Sequence, residues 1–220
     1  MIAHLKVLTG SASFQFMAID QQNHLLETGV HSYDVGRDSI ETIQEWHTSY
    51  LTDKDHSLFT TEIYWVHGAY TIAPLADLQL VKSVLQTETI VSEVHPLTSP
   101  SAIHFALPHA GAFMDTAWVQ KHALAYLLES AYLRESKEPE VCFLVHENKA
   151  LFVITERGKL QRSSFQIFSN GNDLAYFLLL MLQQESLAQD TPIRICAGIS
   201  PQSQLDQQLS VFFSNLRYDL

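Results

Sequence analysis

Cysteine and positive charge are both scarce in this chain of 220 residues. Two cysteines exclude a disulfide-stapled secreted module, which needs several bridges to replace a small core. Thirteen Lys and Arg stand against 24 Asp and Glu, a formal charge of −11, so a general nucleic-acid binder is not expected. The deficit is uneven. Residues 1–110 carry 4 basic and 12 acidic side chains, and residues 111–220 carry 9 and 12. No apolar run reaches the roughly 20 residues that span a bilayer; the most apolar stretch, Leu174 to Leu182, reads as a buried helix. The N-terminal Met1-Ile2-Ala3-His4-Leu5-Lys6 has none of the layout of a signal peptide. Apolar residues make up 46%, enough to exclude a disordered tail. These absences leave a folded, acidic, cytoplasmic protein with no membrane or nucleic-acid partner.

Common catalytic signatures are also missing. No Gly-x-x-x-x-Gly-Lys, Gly-x-Gly-x-x-Gly or Gly-x-Ser-x-Gly occurs. The eleven histidines are scattered without the spacing of a metal site, so no metal is expected.

What is present is a strand-and-helix order. In the second half, Glu140 to Val145, Ala150 to Thr155 and Leu160 to Phe168 read as an antiparallel meander with turns at Glu147-Asn148 and Glu156-Arg157-Gly158. Asn170 to Asp173 supplies cap chemistry for a helix running to about Leu187. Pro192 to Gly198 is a fourth strand. Ser200-Pro201 opens a second helix with Leu205, Leu209, Phe212 and Phe213 as its stripe, and Asn215 to Leu220 closes as a strand. The first half repeats the plan more loosely. Strands fall at 5–8, 13–19 and 24–33. Gly36-Arg37-Asp38 opens a helix, 58–73 holds a strand pair, 75–85 a helix and 102–107 a strand. Phe113 to Leu133 reads as one long amphipathic helix between the halves. The expectation is an α/β protein of two βββαβα lobes with mixed sheets: residues 1–112, a connecting helix 113–138, and residues 139–220. Such a repeat suggests an internal duplication with a cleft between lobes.

This order resembles the actin-like ATPase (ribonuclease H-like) fold, and more closely the bacterial domain-of-unknown-function family 3822. The likeness rests on Ala69-Tyr70-Thr71-Ile72-Ala73-Pro74, on Leu160 to Phe168 followed by Asn172-Asp173-Leu174-Ala175-Tyr176-Phe177-Leu178-Leu179, and on Ile193 to Gly198. The resemblance implies an Asp-x-Gly hairpin opening each lobe, whose amides bind phosphate and whose carboxylate serves Mg²⁺ or water. In the first lobe Thr9, Gly10 and Ser11 fall there, but Leu8 stands in the carboxylate position. In the second, His146 replaces the aspartate and Asn148 the glycine. Ala197-Gly198 keeps half of a Gly-Gly turn beside the adenosine. Glu147 is one residue off, and in a strand one residue points to the opposite face.

The expectation is therefore a non-catalytic actin-like scaffold or interaction protein with no cofactor, no catalytic residue and a protein partner or a second copy of itself. At most it keeps a weak nucleotide site at Thr9, Gly10, Ser11, His146, Asn148, Ala197 and Gly198. The alternative is a nucleotide-binding ATPase or kinase with an atypical site. A carboxylate from Asp20, Asp173 or Glu147 directed into a glycine-lined cleft favours that alternative. Lys149, Arg157, Lys159 and Arg162 form a candidate basic partner patch. Cys142 and Cys196 are expected as close, reduced, buried thiols on neighbouring strands.

Overall fold

The computed structural model describes residues 2–33, 39–53, 60–67, 69–85, 90–106, 118–134, 136–157 and 159–219. The helix opening expected at Gly36-Arg37-Asp38 lies outside them, as do Gly158 and the stretch 113–117.

The chain forms strands β1 His4–Thr9, β2 Ser13–Ile19 and β3 Leu25–Ser32, helix α1 Ser39–Asp53 and strand β4 Thr60–Trp65. Strand β5 Tyr70–Pro74, helix α2 Leu78–Leu85, β6 Ile90–Val94 and β7 Ser101–Ala106 follow. Then come β8 Val119–His122 and helix α3 Ala123–Arg134. The second half holds β9 Glu140–His146, β10 Lys149–Glu156, β11 Lys159–Ile167, α4 Gly171–Gln184, β12 Ile193–Ala197, α5 Gln204–Ser210 and β13 Leu216–Tyr218.

Two five-stranded sheets carry the fold. Their orders are β3-β2-β1-β4-β8 and β11-β10-β9-β12-β13, with the first three chain-consecutive strands antiparallel and the remainder parallel. The two orders superimpose element by element. A third sheet, β5-β7-β6, lies in sequence between β4 and β8 of the first lobe. The two strands expected over 58–73, broken near His67-Gly68, are β4 and β5, but they lie in different sheets and do not pair with each other. The single helix expected over 113–133 is also corrected. Val119–His122 pairs in parallel with β4 as the sheet's fifth strand, and the helix begins at Ala123. His122 ends the strand and starts the helix, its Nδ1 accepting from the Leu124 amide at 3.1 Å.

Helix α3 packs against both five-stranded sheets. Leu124, Ala125, Leu127, Leu128 and Ala131 are buried. They share one core with Leu5, Val7 and Leu8 of β1, Ile63 and Tyr64 of β4, and Cys142, Leu144, Leu151 and Val153 of the second sheet. The opposite face of that second sheet, Val141, Phe143 and Val145 with Phe152, packs on Leu174, Leu178 and Leu209 of α4 and α5. Strand β9 is therefore buried along its whole length, as a central strand covered on both faces must be. Asn170 caps α4 as expected, accepting from the Asn172 and Asp173 amides. The cap of α5 is Ser203, accepting from the Asp206 amide, and not Ser200.

Candidate functional site

The β1–β2 and β9–β10 turns face each other across the two lobes. The first turn closes with Gly10 N donating to Ser13 O at 3.0 Å, and the end of β4 is pinned beside it by Val66 N to Thr9 O at 2.9 Å. Thr9 is buried, its hydroxyl bonded to the Tyr33 hydroxyl. The second turn has Glu147 at its first corner with φ +57, a left-handed conformation that suits glycine. Glu147 is therefore not a strand residue. Its side chain leaves the turn and enters the first hairpin.

The carboxylate of Glu147 is saturated there. Oε1 accepts from the Ala12 amide at 2.6 Å, the Ser13 amide at 2.9 Å and the Ser13 hydroxyl at 3.2 Å. Oε2 accepts from the Ser11 hydroxyl at 2.8 Å, the Ser11 amide at 3.3 Å and Lys149 Nζ at 3.1 Å. Lys149 also donates to Ser11 Oγ at 2.9 Å. Burial alone would push the Glu147 carboxyl up. The Ala12 amide, the Ser11 hydroxyl and Lys149 together outweigh it and bring it down to about 2. His146 is buried, and that burial pushes its imidazole down from the ordinary histidine range. Its Nε2 donates to Ser13 O at 3.0 Å. A Cβ on Gly10 would come within 2.6 Å of both Glu147 Oε1 and His146 Cδ2, so glycine is what lets the hairpins meet.

The other expected positions divide. Leu8 is fully buried in the shared core. Gly198 has φ +83, and a Cβ there would run into the Val145 carbonyl oxygen, which puts the end of β12 against the residue preceding His146. Ala197 pairs with Leu144 past a bulge in the β9–β12 register. Asn148 is exposed and its carbonyl accepts from Phe168 N at 2.9 Å. Asp20 is used within its own turn, by the amides of Gln22 and His24, and Asp173 accepts from Ser169 N at the start of α4.

Of the basic patch, Lys149 stands apart from Arg157, Lys159 and Arg162. Lys149 pairs with Ile167 at one end of the β10–β11 hairpin, and Lys159 pairs with Glu156 at the other. Lys149 is held by Glu147, Arg162 by Glu185 at 2.8 Å, and Arg157 lies beside Glu156. Cys142 and Cys196 are buried and unpaired on neighbouring strands, Cys142 being pushed up by the adjacent Cys196 thiol and by burial. Among the described residues, no group of three or more His, Cys, Asp or Glu side chains is placed to hold a metal ion, and no helix is long and apolar enough to cross a membrane.

A cavity of about 310 Å³ lies away from the hairpins, lined by residues that include His4, Lys6, Glu62, His95 and Glu129. Its carboxylates are matched: Lys6 donates to Glu129 at 2.9 Å, and Lys121 reaches Glu129 at 2.6 Å and Glu62 at 2.8 Å. Beyond these pairs, Glu93 Oε2 is buried without a hydrogen-bond partner. Burial pushes the Glu93 carboxyl up to about 7, with Lys121 opposing and Glu129 and Glu62 adding to it. The sign follows: a raised acid favours folding while protonated, so its contribution is complete below about 4.5 and is lost as pH rises through 7. The loss is worth about 3 kcal/mol. Urea unfolding between pH 5 and 8 should show this decline, and Glu93→Gln should flatten it. An unchanged slope in Glu93→Gln would refute the assignment.

Two sheets of identical order, each opened by a hairpin at a shared site, define the actin-like ATPase fold. Solved structures agree. A Bacteroides thetaiotaomicron protein described as having an actin-like ATPase fold and unknown function matches with a TM-score of 0.70 at 14% identity, over 98% of this chain and 90% of that one. The PilM-PilN type IV pilus biogenesis complex matches with 0.61 at 12% identity, over 99% and 88%. The activator of the 2-hydroxyisocaproyl-CoA dehydratase from Clostridium difficile, solved with bound ADPNP, matches with 0.54 at 6% identity, over 100% and 88%. Within that fold, residues 116–216 match the family described as protein of unknown function (DUF3822), the family the sequence resembles. No curated protein matches the sequence.

Proposed function

We propose that this chain is a non-catalytic scaffold or interaction protein that keeps the actin-like fold and has given up its phosphate chemistry. The carrying observation is the Glu147 carboxylate on the Ser11, Ala12 and Ser13 amides. A Mg²⁺-phosphate group needs those amides unoccupied and a carboxylate oxygen to spare. Here the amides are taken, and both oxygens of the nearby carboxylate are consumed in taking them. Leu8 and His146, at the positions where the fold carries its acids, support the same reading.

Its binding partner, on this reading, is another protein or a second copy of the chain. The support is an analogy of fold: a relative of this shape is part of a pilus biogenesis complex. Two unpaired buried thiols fit a reducing cytoplasm. A second reading, an ATPase with an atypical site, draws on the bound ADPNP of another relative. Phosphate release from millimolar Mg·ATP separates the two. The scaffold reading expects no release above the uncatalysed background. Mg²⁺-dependent release that Glu147→Gln abolishes would establish the ATPase instead.

A further inference from the structure

We propose that the cavity between the first sheet, α3 and the end of β6 binds a small organic cation, a primary amine with a short hydrocarbon chain, whose ammonium completes the charge balance of Glu62, Glu93 and Glu129. The cavity lies away from the hairpins, so the proposal stands apart from the scaffold reading above.

The charged side of the cavity is a chain of shared ions. Glu129 of α3 takes both Lys6 of β1 at 2.9 Å and Lys121 of β8 at 2.6 Å, and Lys121 also takes Glu62 of β4 at 2.8 Å. The Tyr64 hydroxyl stands 2.8 Å from Glu62 Oε2 and 3.0 Å from Glu129 Oε2. It has one proton, so it serves one of those oxygens at a time. Two ammonium charges thus offset two carboxylates. Glu93 of β6 is a third carboxylate, and its Oε2 is buried without a hydrogen-bond partner. The charges it feels are those of Lys121, Glu129 and Glu62, which places it beside the same network. His95, two residues on and so turned to the same side of the chain, lines the cavity and feels Glu129 and Lys121 as well. Three carboxylates therefore share two ammonium groups. A buried carboxylate oxygen without a partner costs free energy, and a bound cation recovers it.

The shape of the cavity selects the kind of cation. Its volume of about 310 Å³ is many times the roughly 30 Å³ share of one water, space for a molecule and not only for an ion. Among the described residues, no three His, Cys, Asp or Glu side chains converge to hold a metal. Tyr132 and Leu133 also line the cavity and remain 50% and 70% exposed. Covering them rewards a ligand that carries hydrocarbon next to its charge. An ammonium head among the carboxylates, with its chain along Tyr132 and Leu133, uses both parts. Burial raises Glu93 to about 7, so its charge is present above that pH and lost below it. The amine requires the ionised form, and its affinity rises from pH 6 to pH 8. Burial pushes His95 down, so it brings no competing positive charge at pH 8.

The probe is n-butylammonium chloride, titrated calorimetrically into the protein at pH 6 and pH 8 at constant ionic strength. Sodium chloride and n-butanol serve as its inorganic and uncharged counterparts. The expected result is saturable binding in the millimolar range at pH 8 and roughly tenfold weaker binding at pH 6, with none for either counterpart. Glu93→Gln keeps the shape and removes the charge. It should weaken binding at pH 8 by tenfold or more and abolish the pH dependence. Failure of butylammonium to saturate wild type, an equal effect of sodium chloride or n-butanol, or a Glu93→Gln that binds as tightly as wild type would each overturn the proposal. Should Glu93→Gln not fold, the amide signals of wild type decide by NMR. Butylammonium should move those of His95 and Tyr132 and leave those of Ala12 and Ser13 in place; shifts confined to the hairpins would overturn the site.

Discussion

Glu140→Ala should cost this protein about 3–5 kcal/mol of stability, the range for removing one partner of a buried ion pair. The Glu140 side chain is 3% exposed. Its Oε1 accepts from Arg134 Nε at 3.2 Å and Nη2 at 3.0 Å, and its Oε2 from Arg194 Nε at 2.9 Å. Arg134 leaves α3 and also bonds Ser130 Oγ and Asp219. Arg194 stands on β12 and reaches Asp219 Oδ1 at 3.4 Å. One buried carboxylate therefore fastens α3 to two strands of the second five-stranded sheet. Alanine leaves two guanidinium groups sharing Asp219 alone in a half-buried place. At about 2–4 °C per kcal/mol for a chain of this size, the melting temperature should fall by roughly 10 °C. Glu156→Ala is the matched control. Its partner Arg157 is exposed, and such a pair contributes about 0–1 kcal/mol. Equal, small losses in both variants would refute the role given to Glu140.

Gly198→Ala is expected to be comparably damaging, by about 3 kcal/mol or more, through the backbone. The residue sits at φ +83, where any Cβ is strained. That Cβ would also be driven into the Val145 carbonyl oxygen. No rotamer relieves a clash between Cβ and backbone, so β9 and β12 must part next to His146. Gly171→Ala makes the contrast. Its Cβ meets Gln208 Oε1 and also Gln208 Cβ, so α5 must give way and one bond to the Gly171 amide is lost, but no backbone atom is struck and no left-handed φ is involved. Thermal unfolding of both variants checks the order, and a Gly198→Ala as stable as Gly171→Ala would contradict it.

The second lobe was legible because its chemistry is local. Tight turns, β-branched strands and an Asn170 cap each announce themselves within a few residues. The first lobe hides more. Val119–His122 was absorbed into a helix because apolar residues from 113 to 133 recur at helical spacing, and a four-residue strand is too short to break that period. Strand β6, Ile90–Val94, went unread because its outward-facing residues carry no clean alternation: Val94 is exposed while Glu93 is half-buried. The resemblance points to the two hairpins, and Glu147 is one of three carboxylates that the sequence offers there. The sequence reads Glu147-Asn148 as a turn, while strand alternation directs the Glu147 side chain away from the cleft. Glu147 is the corner of a two-residue turn, where a positive φ redirects the side chain by far more than one register step. The signal was available: a glutamate where such a turn prefers glycine or asparagine marks a side chain held by something else. The partner loop lies 135 residues away, at Ala12, and no spacing in the sequence points to it.

Whether the hairpins still receive a nucleotide decides most directly between a scaffold and an ATPase. Isothermal titration of the wild-type protein with Mg·ATP and Mg·ADP measures this at the site itself. The expected result is no saturable heat up to about 1 mM, where a standard-state binding free energy near −4 kcal/mol is reached. Saturable, Mg²⁺-dependent binding well below that concentration would mean that Glu147 yields to phosphate in the native chain, and the scaffold reading would fail.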